Sequence, residues 1–338
     1  MSMPLQVIPG IYQIKVPMGI PDNPLGCTNT YLIEGEGGWT LIDAGWNGPA
    51  SFASFEKDLK ELGLDFADIQ RIIITHAHPD HYGLASSFRD ASGRAQIAIH
   101  RNEMPSIERH RDPEVVLRKM LAWLDCNGVP PQTADDFKTI SGILAKIMPP
   151  LKPDRILQGG EVIPAGKFSL EVLHTPGHAD GHICLYERSR GLLFAGDHIL
   201  PQVTPNISLS PFSESNPLGD YLASISAISR MAVNTVLPAH EEIFQDLAGR
   251  IAELKGHHDE RKNAILGTLQ NESKTAFDLS SEIPWGLDMG GIAWEDMTHL
   301  DRRMAVSEAL AHLEALRAEG KVVRFEKDGM FLYQSIQS

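Results

Sequence analysis

The sequence predicts an α/β layered fold that carries a helical insertion and ends in a small winged-helix-like unit. Three observations predict it. Short runs rich in β-branched and aromatic residues alternate with turns and helical stretches over the first hundred residues. Two amphipathic patterns then interrupt that alternation, and a long amphipathic helix followed by a hairpin signal closes the chain.

The first runs, "GIYQIKV", "NTYLIEG" and "WTLIDAG", are bounded by Gly, Pro and Asn and read as strands. Residues 49–64, "PASFASFEKDLKELGL", place apolar residues at helical spacing, with Gly63 near the end. "RIIIT" is a short buried strand. It runs straight into "HAHPDHYG", with a second helix expected near Gly83 and a strand at "AQIAIH". Residues 103–150 differ: "DPEVVLRKMLAWLDCNGV" and "TADDFKTISGILAKIM" read as two amphipathic helices laid over the domain, outside its sheet. Strand pattern returns in "FSLEVLHT", "HICLYE" and "GLLFAGD". "PLGDYLASISAISRM" is a helix, and "TVLPAH" is a last strand ending in histidine. The pattern turns helical near residue 250, so the expected division is 1–249 and 250–338. In the second part "RRMAVSEALAHLEALRAEG" is a helix stopped by Gly320, and "KVVRFEKDGMFLYQ" is two strands around Lys327-Asp328-Gly329.

Composition narrows the function classes. Among 338 residues, 44 acidic against 30 basic side chains give a formal charge of −14, which argues against a generally basic nucleic-acid or membrane surface. A local patch from Arg302, Arg303, Arg317, Lys321, Arg324 and Lys327 stays open. No apolar run approaches the roughly 20 residues of a membrane span. The N-terminal "MSMPLQVIPGIYQIKV" does not read as a signal peptide. Cys27, Cys126 and Cys184 are far apart in sequence, which fits isolated reduced thiols and a cytoplasmic location rather than a disulfide framework or thiolate metal site.

The chemistry concentrates in "ITHAHPDHYG", where His76, His78, Asp80 and His81 fall within six positions at the end of a strand. A loop there can turn neighbouring side chains toward one point, whereas a regular strand would spread them over two faces. Neutral imidazoles with carboxylates suit Zn²⁺ or Fe; a Mg²⁺ or Ca²⁺ site would be mainly oxygen. Further candidates stand at the ends of later strands: His174, His178 and His182 in "LHTPGHADGH", Asp197 and His198 in "LLFAGDH", and His240 in "TVLPAH". Open α/β sheets build sites from such strand-end loops, so these segments are expected to converge.

The set "THAHPDH", "HTPGH", "GDH" and "PAH", with "LIDAG" upstream, resembles the metallo-β-lactamase-fold hydrolases over roughly residues 5–245. The resemblance implies an αββα metallo-β-lactamase sandwich with a dinuclear centre at one sheet edge. It implies that His76, His78 and His178 hold one metal, that Asp80, His81 and His240 hold the other, and that Asp197 bridges both. An aspartate at 197 with His81 in the cluster is similar to the glyoxalase II arrangement, without the cysteine that zinc β-lactamases place in the second site. Two divalent ions about 3.5–4 Å apart can share a hydroxide and polarise a substrate carbonyl. The expected cofactors are therefore two divalent ions, zinc first, with iron or manganese open. Asp80 is expected to act both as ligand and as the group that orients the hydroxide, and Asp43 to support the site from behind.

His174 and His182 read as structural; His198 is a candidate for substrate contact or proton transfer. Asn206 and Ser208, in the loop "PQVTPNISLSPFSESNP", are candidate substrate contacts. The insertion is expected to roof the site or to form a homo-oligomer contact. The expected activity is hydrolysis of a small ester-like substrate, thioesters favoured, with lactones and β-lactams served by the same chemistry. The C-terminal part is similar to the winged-helix domain appended to some superfamily members, including the human β-lactamase-like endoribonuclease, so a metal-dependent endoribonuclease is the alternative.

Overall fold

The computed structural model describes residues 3–19, 25–109, 112–131, 148, 151–213, 216–270, 272–286 and 290–336. Its first sheet runs β1 (Leu5–Ile8), β2 (Ile11–Pro17), β3 (Cys27–Ile33), β4 (Trp39–Ile42), β5 (Ile69–Ile73), β6 (Gln96–His100) and β7 (Arg155–Leu157), in that order. The first four strands pair antiparallel through short links; β4 to β7 pair parallel, as helical crossovers require. The second sheet has the order β12 (Thr235–Pro238), β11 (Leu192–Gly196), β10 (Ile183–Glu187), β9 (Phe168–His174), β8 (Val162–Ala165). Here β8 to β11 are antiparallel, and β12 lies parallel to β11 after the Pro217–Ile228 helix.

The two sheets pack face to face. Ile33, Ile42 and Ile73 of the first meet Leu170, Leu185, Phe194 and Leu237 of the second in one buried layer. Tyr31 ties them together: its ring meets Phe194 edge-on at 5.3 Å, and its hydroxyl donates to the Pro238 carbonyl at 2.8 Å. Outside the first sheet lies the Pro49–Glu61 helix. Pro49 opens it, and Phe52, Phe55 and Leu59 form the stripe that faces the core. Phe55 stacks on Phe88 of the Ala85–Ser92 helix with centroids 4.4 Å apart. Outside the second sheet, the Pro217–Ile228 helix and the start of the Leu247–Thr268 helix cover Tyr186, Leu193 and Val236. The layers are thus helix, sheet, sheet, helix: the αββα sandwich.

The Leu247–Thr268 helix begins on that outer face through Leu247, Ile251 and Leu254. Its far end enters a different cluster, where Ile265 packs with the Ala276–Glu282 helix, the His299–Ala318 helix, and a hairpin of β13 (Val322–Lys327) and β14 (Met330–Ser335). Thr298 opens the His299–Ala318 helix in a capping box with Asp301.

One sequence reading changes. The insertion helix, Pro113–Cys126, does not lie over the sheets by its apolar stripe: Met120 and Leu124 join Leu279, Leu310 and Leu313 of the C-terminal helices. An amphipathic stripe states that it will be covered, not by what. The second insertion helix expected at 133–148 lies outside the described residues except for Met148, which is buried against the first sheet's helical layer. Strands β7 and β8 add to the pattern read from the sequence. One has three residues, and the other carries Pro164, which an edge strand tolerates. No helix among the described residues is long and apolar enough to cross a membrane.

Candidate metal centre

The candidate side chains meet where β5, β9, β11 and β12 end. β5 stops at Ile73, and the chain leaves it through Thr75 to His81 before the short Pro79–Tyr82 helix ends. The loop after β9 supplies His178, the turn after β11 supplies Asp197, and the residues after β12 supply His240. Two groups of donor atoms result: His76, His78, His178 and Asp197, and Asp80, His81, Asp197 and His240. Within each group the atoms lie no more than 4.8 Å apart.

Each histidine is aimed by a bond at its outer nitrogen, apart from His78. Nδ1 of His81 lies 2.8 Å from Asp43 Oδ2. Nδ1 of His178 donates to the Asn206 carbonyl at 2.9 Å, and Nδ1 of His240 to the Cys27 carbonyl at 2.9 Å. His76 Nδ1 lies 3.1 Å from the Thr75 hydroxyl, which donates to Asp43. These contacts put the proton on the outer nitrogen and the lone pair of Nε2 inward. His78 instead presents Nδ1, 2.8 Å from His76 Nε2 and 2.9 Å from His178 Nε2.

Asp197 joins the two groups with different oxygens. Its Oδ2 lies 3.5 Å from His178 Nε2, whereas Oδ1 lies 3.2 Å from His81 Nε2 and 3.4 Å from His240 Nε2. Asp80 Oδ2 is 3.1 Å from His240 Nε2 and 3.6 Å from His81 Nε2. Asp197 is held from behind, because its main-chain N–H donates to His182 Nε2 at 3.2 Å while His182 Nδ1 faces the Thr175 hydroxyl at 2.9 Å. The approach requires glycine at 196. Its φ is 51°, and a Cβ there would stand 2.6 Å from His182 Nε2.

The electrostatics divide the same way. Burial, with the neighbouring imidazoles, pushes His76 well below the ordinary histidine range and His78 down to about 3. Burial likewise lowers His178, although Asp197 opposes it. All three rings are held toward the neutral form, the one whose inward nitrogen could bind a metal. Burial pulls the other way on the carboxylates, yet His81 and His240 hold Asp80 down at about 2 and Asp197 well below the usual range. In return, and against burial, Asp197 and Asp80 raise His81 and His240, favouring a second proton on each inward Nε2 that a bound cation would displace. His81 Nε2, His240 Nε2 and Asp197 Oδ1 are buried with no hydrogen-bond partner. Such atoms normally carry a cost, and a shared cation would remove it. The imidazole and carboxylate donors therefore fit divalent metal ions of the zinc type.

A family model described as the metallo-beta-lactamase superfamily matches residues 24–240. The chain belongs to that superfamily. As a metallo-hydrolase of this superfamily, it aligns along most of its length with "Probable metallo-hydrolase YqjP" of Bacillus subtilis (strain 168), at 25% identity over 93% of this chain and 95% of that one. It is 30% identical to an acyl-coenzyme A thioesterase, MBLAC2 of Gallus gallus, over 64% of this chain and 73% of the relative. Among solved structures, a metallo-beta-lactamase family protein of Thermus thermophilus superposes with a TM-score of 0.82 and 34% identity, covering 98% of this chain and 100% of that one. Both donor groups fall within the matched residues 24–240.

The remaining candidates are placed as follows. Asp43 bonds His81 and both the main-chain N–H and hydroxyl of Thr75. Asn206 meets the centre through its carbonyl; its side chain is engaged by the Ser208 hydroxyl. His198 is fully buried between the rings of His182 (5.6 Å) and Tyr221 (5.1 Å). His174 stacks on His100 and bonds the Asp180 carbonyl. Sequence reasoning missed the parts played by Thr75, Cys27 and Glu103. A main-chain carbonyl leaves no mark in residue type, and Glu103 lies three residues beyond its strand.

Proposed function

We propose that this protein hydrolyses a small ester-like acyl substrate, a thioester first, with two divalent metal ions. His76, His78 and His178 would hold one ion and Asp80, His81 and His240 the other, with Asp197 shared. The observation that carries the reading is the split contact of Asp197, one oxygen toward His178 and the other toward His81 and His240. Bound there, such ions supply Lewis-acid polarisation of an acyl carbonyl and lower the pKa of a water toward about 7. Zinc suits the imidazole-rich donor set, and iron or manganese are the competing ions.

The chain's own groups hold and orient. Asp80, held ionised by His81 and His240 against its burial, would orient the attacking water as well as serve as a ligand. Thioesters are favoured because acyl-coenzyme A thioesterases are among the relatives and the donor set contains no cysteine. Lactones and β-lactams present the same carbonyl chemistry. The reading includes two units, 1–249 and 250–338, the second winged-helix-like by its order of helices and hairpin. It also includes a cytoplasmic location, which the three free thiols suit.

The test is turnover of metal-replete protein on acyl thioesters, lactones, a β-lactam and single-stranded RNA, with His78→Ala as control. Metal-dependent cleavage of thioesters, lost in the control, is expected. Cleavage of RNA alone would replace this reading with the nuclease.

A further inference from the structure

Glu103 sits in the short turn Arg101–Glu103 after β6 and is only 3% exposed. Its carboxylate accepts two main-chain N–H groups from different loops. Oε2 accepts from Ala77 at 2.8 Å, and Oε1 from Gly181 at 2.6 Å. Ala77 stands between His76 and His78, and Gly181 lies in the loop that carries His178. The two loops are far apart in sequence and share no strand. The fit is tight: a Cβ on Gly181 would come within 2.7 Å of the Glu103 main-chain nitrogen and 2.8 Å of its Cγ. Burial pushes the Glu103 carboxyl up to about 7, against the two N–H bonds that favour its ionised form.

We propose that Glu103 is a positioning residue that clamps the His76–His78 loop to the His178 loop, setting the spacing of the three imidazoles on one side of the dinuclear centre. The clamp rests on the metal reading above. It touches no donor atom itself and leaves Asp80, His81 and His240 on other supports, Asp43 and the Cys27 carbonyl among them. Its loss therefore weakens one metal position and spares the other.

The experiment compares wild-type protein with Glu103→Gln, Glu103→Ala and Gly181→Ala. Zinc affinity is read at both positions by chelator competition, the ligand field by the visible spectrum of the cobalt-loaded proteins, and folding of the metal-free forms by thermal unfolding. The glutamine keeps one acceptor and turns its amide against the other N–H, so it should stand between glutamate and alanine. The expected result is about a 10-fold to 100-fold loss at one position, the other unchanged, with an altered cobalt spectrum. Gly181→Ala, which keeps the carboxylate but forces the loops apart, should reproduce it. Two zinc ions bound by every variant as tightly as by wild type would overturn the clamp alone. A wild-type protein that binds no pair of ions would overturn the metal reading and the clamp with it. Equal loss at both positions, following a fall in the unfolding temperature, would make Glu103 merely structural and also overturn the clamp.

Discussion

Asp43 Oδ2 lies 2.8 Å from His81 Nδ1, at a residue whose own backbone is left-handed (φ 59°). The same carboxylate takes the N–H and the hydroxyl of Thr75, so every bond it makes is one in which it accepts. Asparagine tolerates the left-handed backbone but replaces one acceptor by an amide donor. Where that donor meets His81 Nδ1, the ring must carry its proton on Nε2, the nitrogen that faces Asp197 and Asp80. Asp43→Asn should lower metal affinity or turnover by about 10-fold to 100-fold, with little change in the thermal unfolding of the metal-free protein. Unchanged zinc affinity in a competition titration would show that His81 needs no such partner.

The split contact of Asp197 makes a second expectation quantitative in ions. His78→Ala and His240→Ala each remove a donor from one group only. Each should retain one ion after dialysis, measured by elemental analysis, and lose turnover. Asp197→Ala removes a donor from both groups and should retain neither. Its activity should fall by more than the about 10-fold to 100-fold typical of a supporting contact. One ion still tightly bound by Asp197→Ala would mean that the aspartate serves a single group.

Much of the layered fold was legible because strand ends and histidines coincide in the sequence. "IIITHAHPDH" shows both the buried strand and the cluster that leaves it, and "LIDAG" marks Asp43. The rest was hidden for physical reasons. Cys27 and Asn206 aim His240 and His178 through carbonyls that any residue possesses. The partners of Glu103 are main-chain N–H groups 26 and 78 positions away. The Pro113–Cys126 helix announced an apolar stripe, and only the fold could show that C-terminal leucines cover it.

The charges near the C-terminal hairpin bear on the nuclease alternative. Arg317 pairs with Glu314, Lys321 lies 2.7 Å from Glu319, and Arg302 bonds the carbonyls of Trp294 and Glu295. Arg324 lies 4.6 Å over the Phe331 ring. Phosphate binding uses cations that displace the nucleic acid's own counterions, and Arg317 and Lys321 already pair with acidic neighbours. The double substitution Arg324→Glu with Lys327→Glu should therefore leave kcat/KM on an acyl thioester within about 2-fold, the scale of an exposed charge. A larger loss, accompanied by steep salt dependence, would bring the hairpin into substrate binding.

One source of acid sensitivity lies away from the metal centre, in the buried pair His258 and His312. His312 Nδ1 donates to the Glu308 carbonyl at 2.8 Å, which leaves Nε2 to accept from His258 Nδ1 at 3.1 Å. His312 is therefore neutral. Burial, followed by His312 and His257, pushes His258 well below the ordinary range. Burial, opposed by the Glu308 carbonyl and helped by Arg261, His257 and Lys262, pushes His312 to about 3. In the unfolded chain both return to about 6.5. Between those values the unfolded state binds protons that the native state does not, so stability is full above about pH 6.5 and falls as the pH drops toward 3. For His312 alone the loss between pH 7 and pH 5 is about 2 kcal/mol. Urea midpoints at the two pH values, with metal loading held fixed, read this directly. His312→Gln removes one titrating ring, so its stability should depend less steeply on pH than that of wild type, whatever its absolute stability. The same pH dependence in both proteins would assign the acid sensitivity to groups other than this pair.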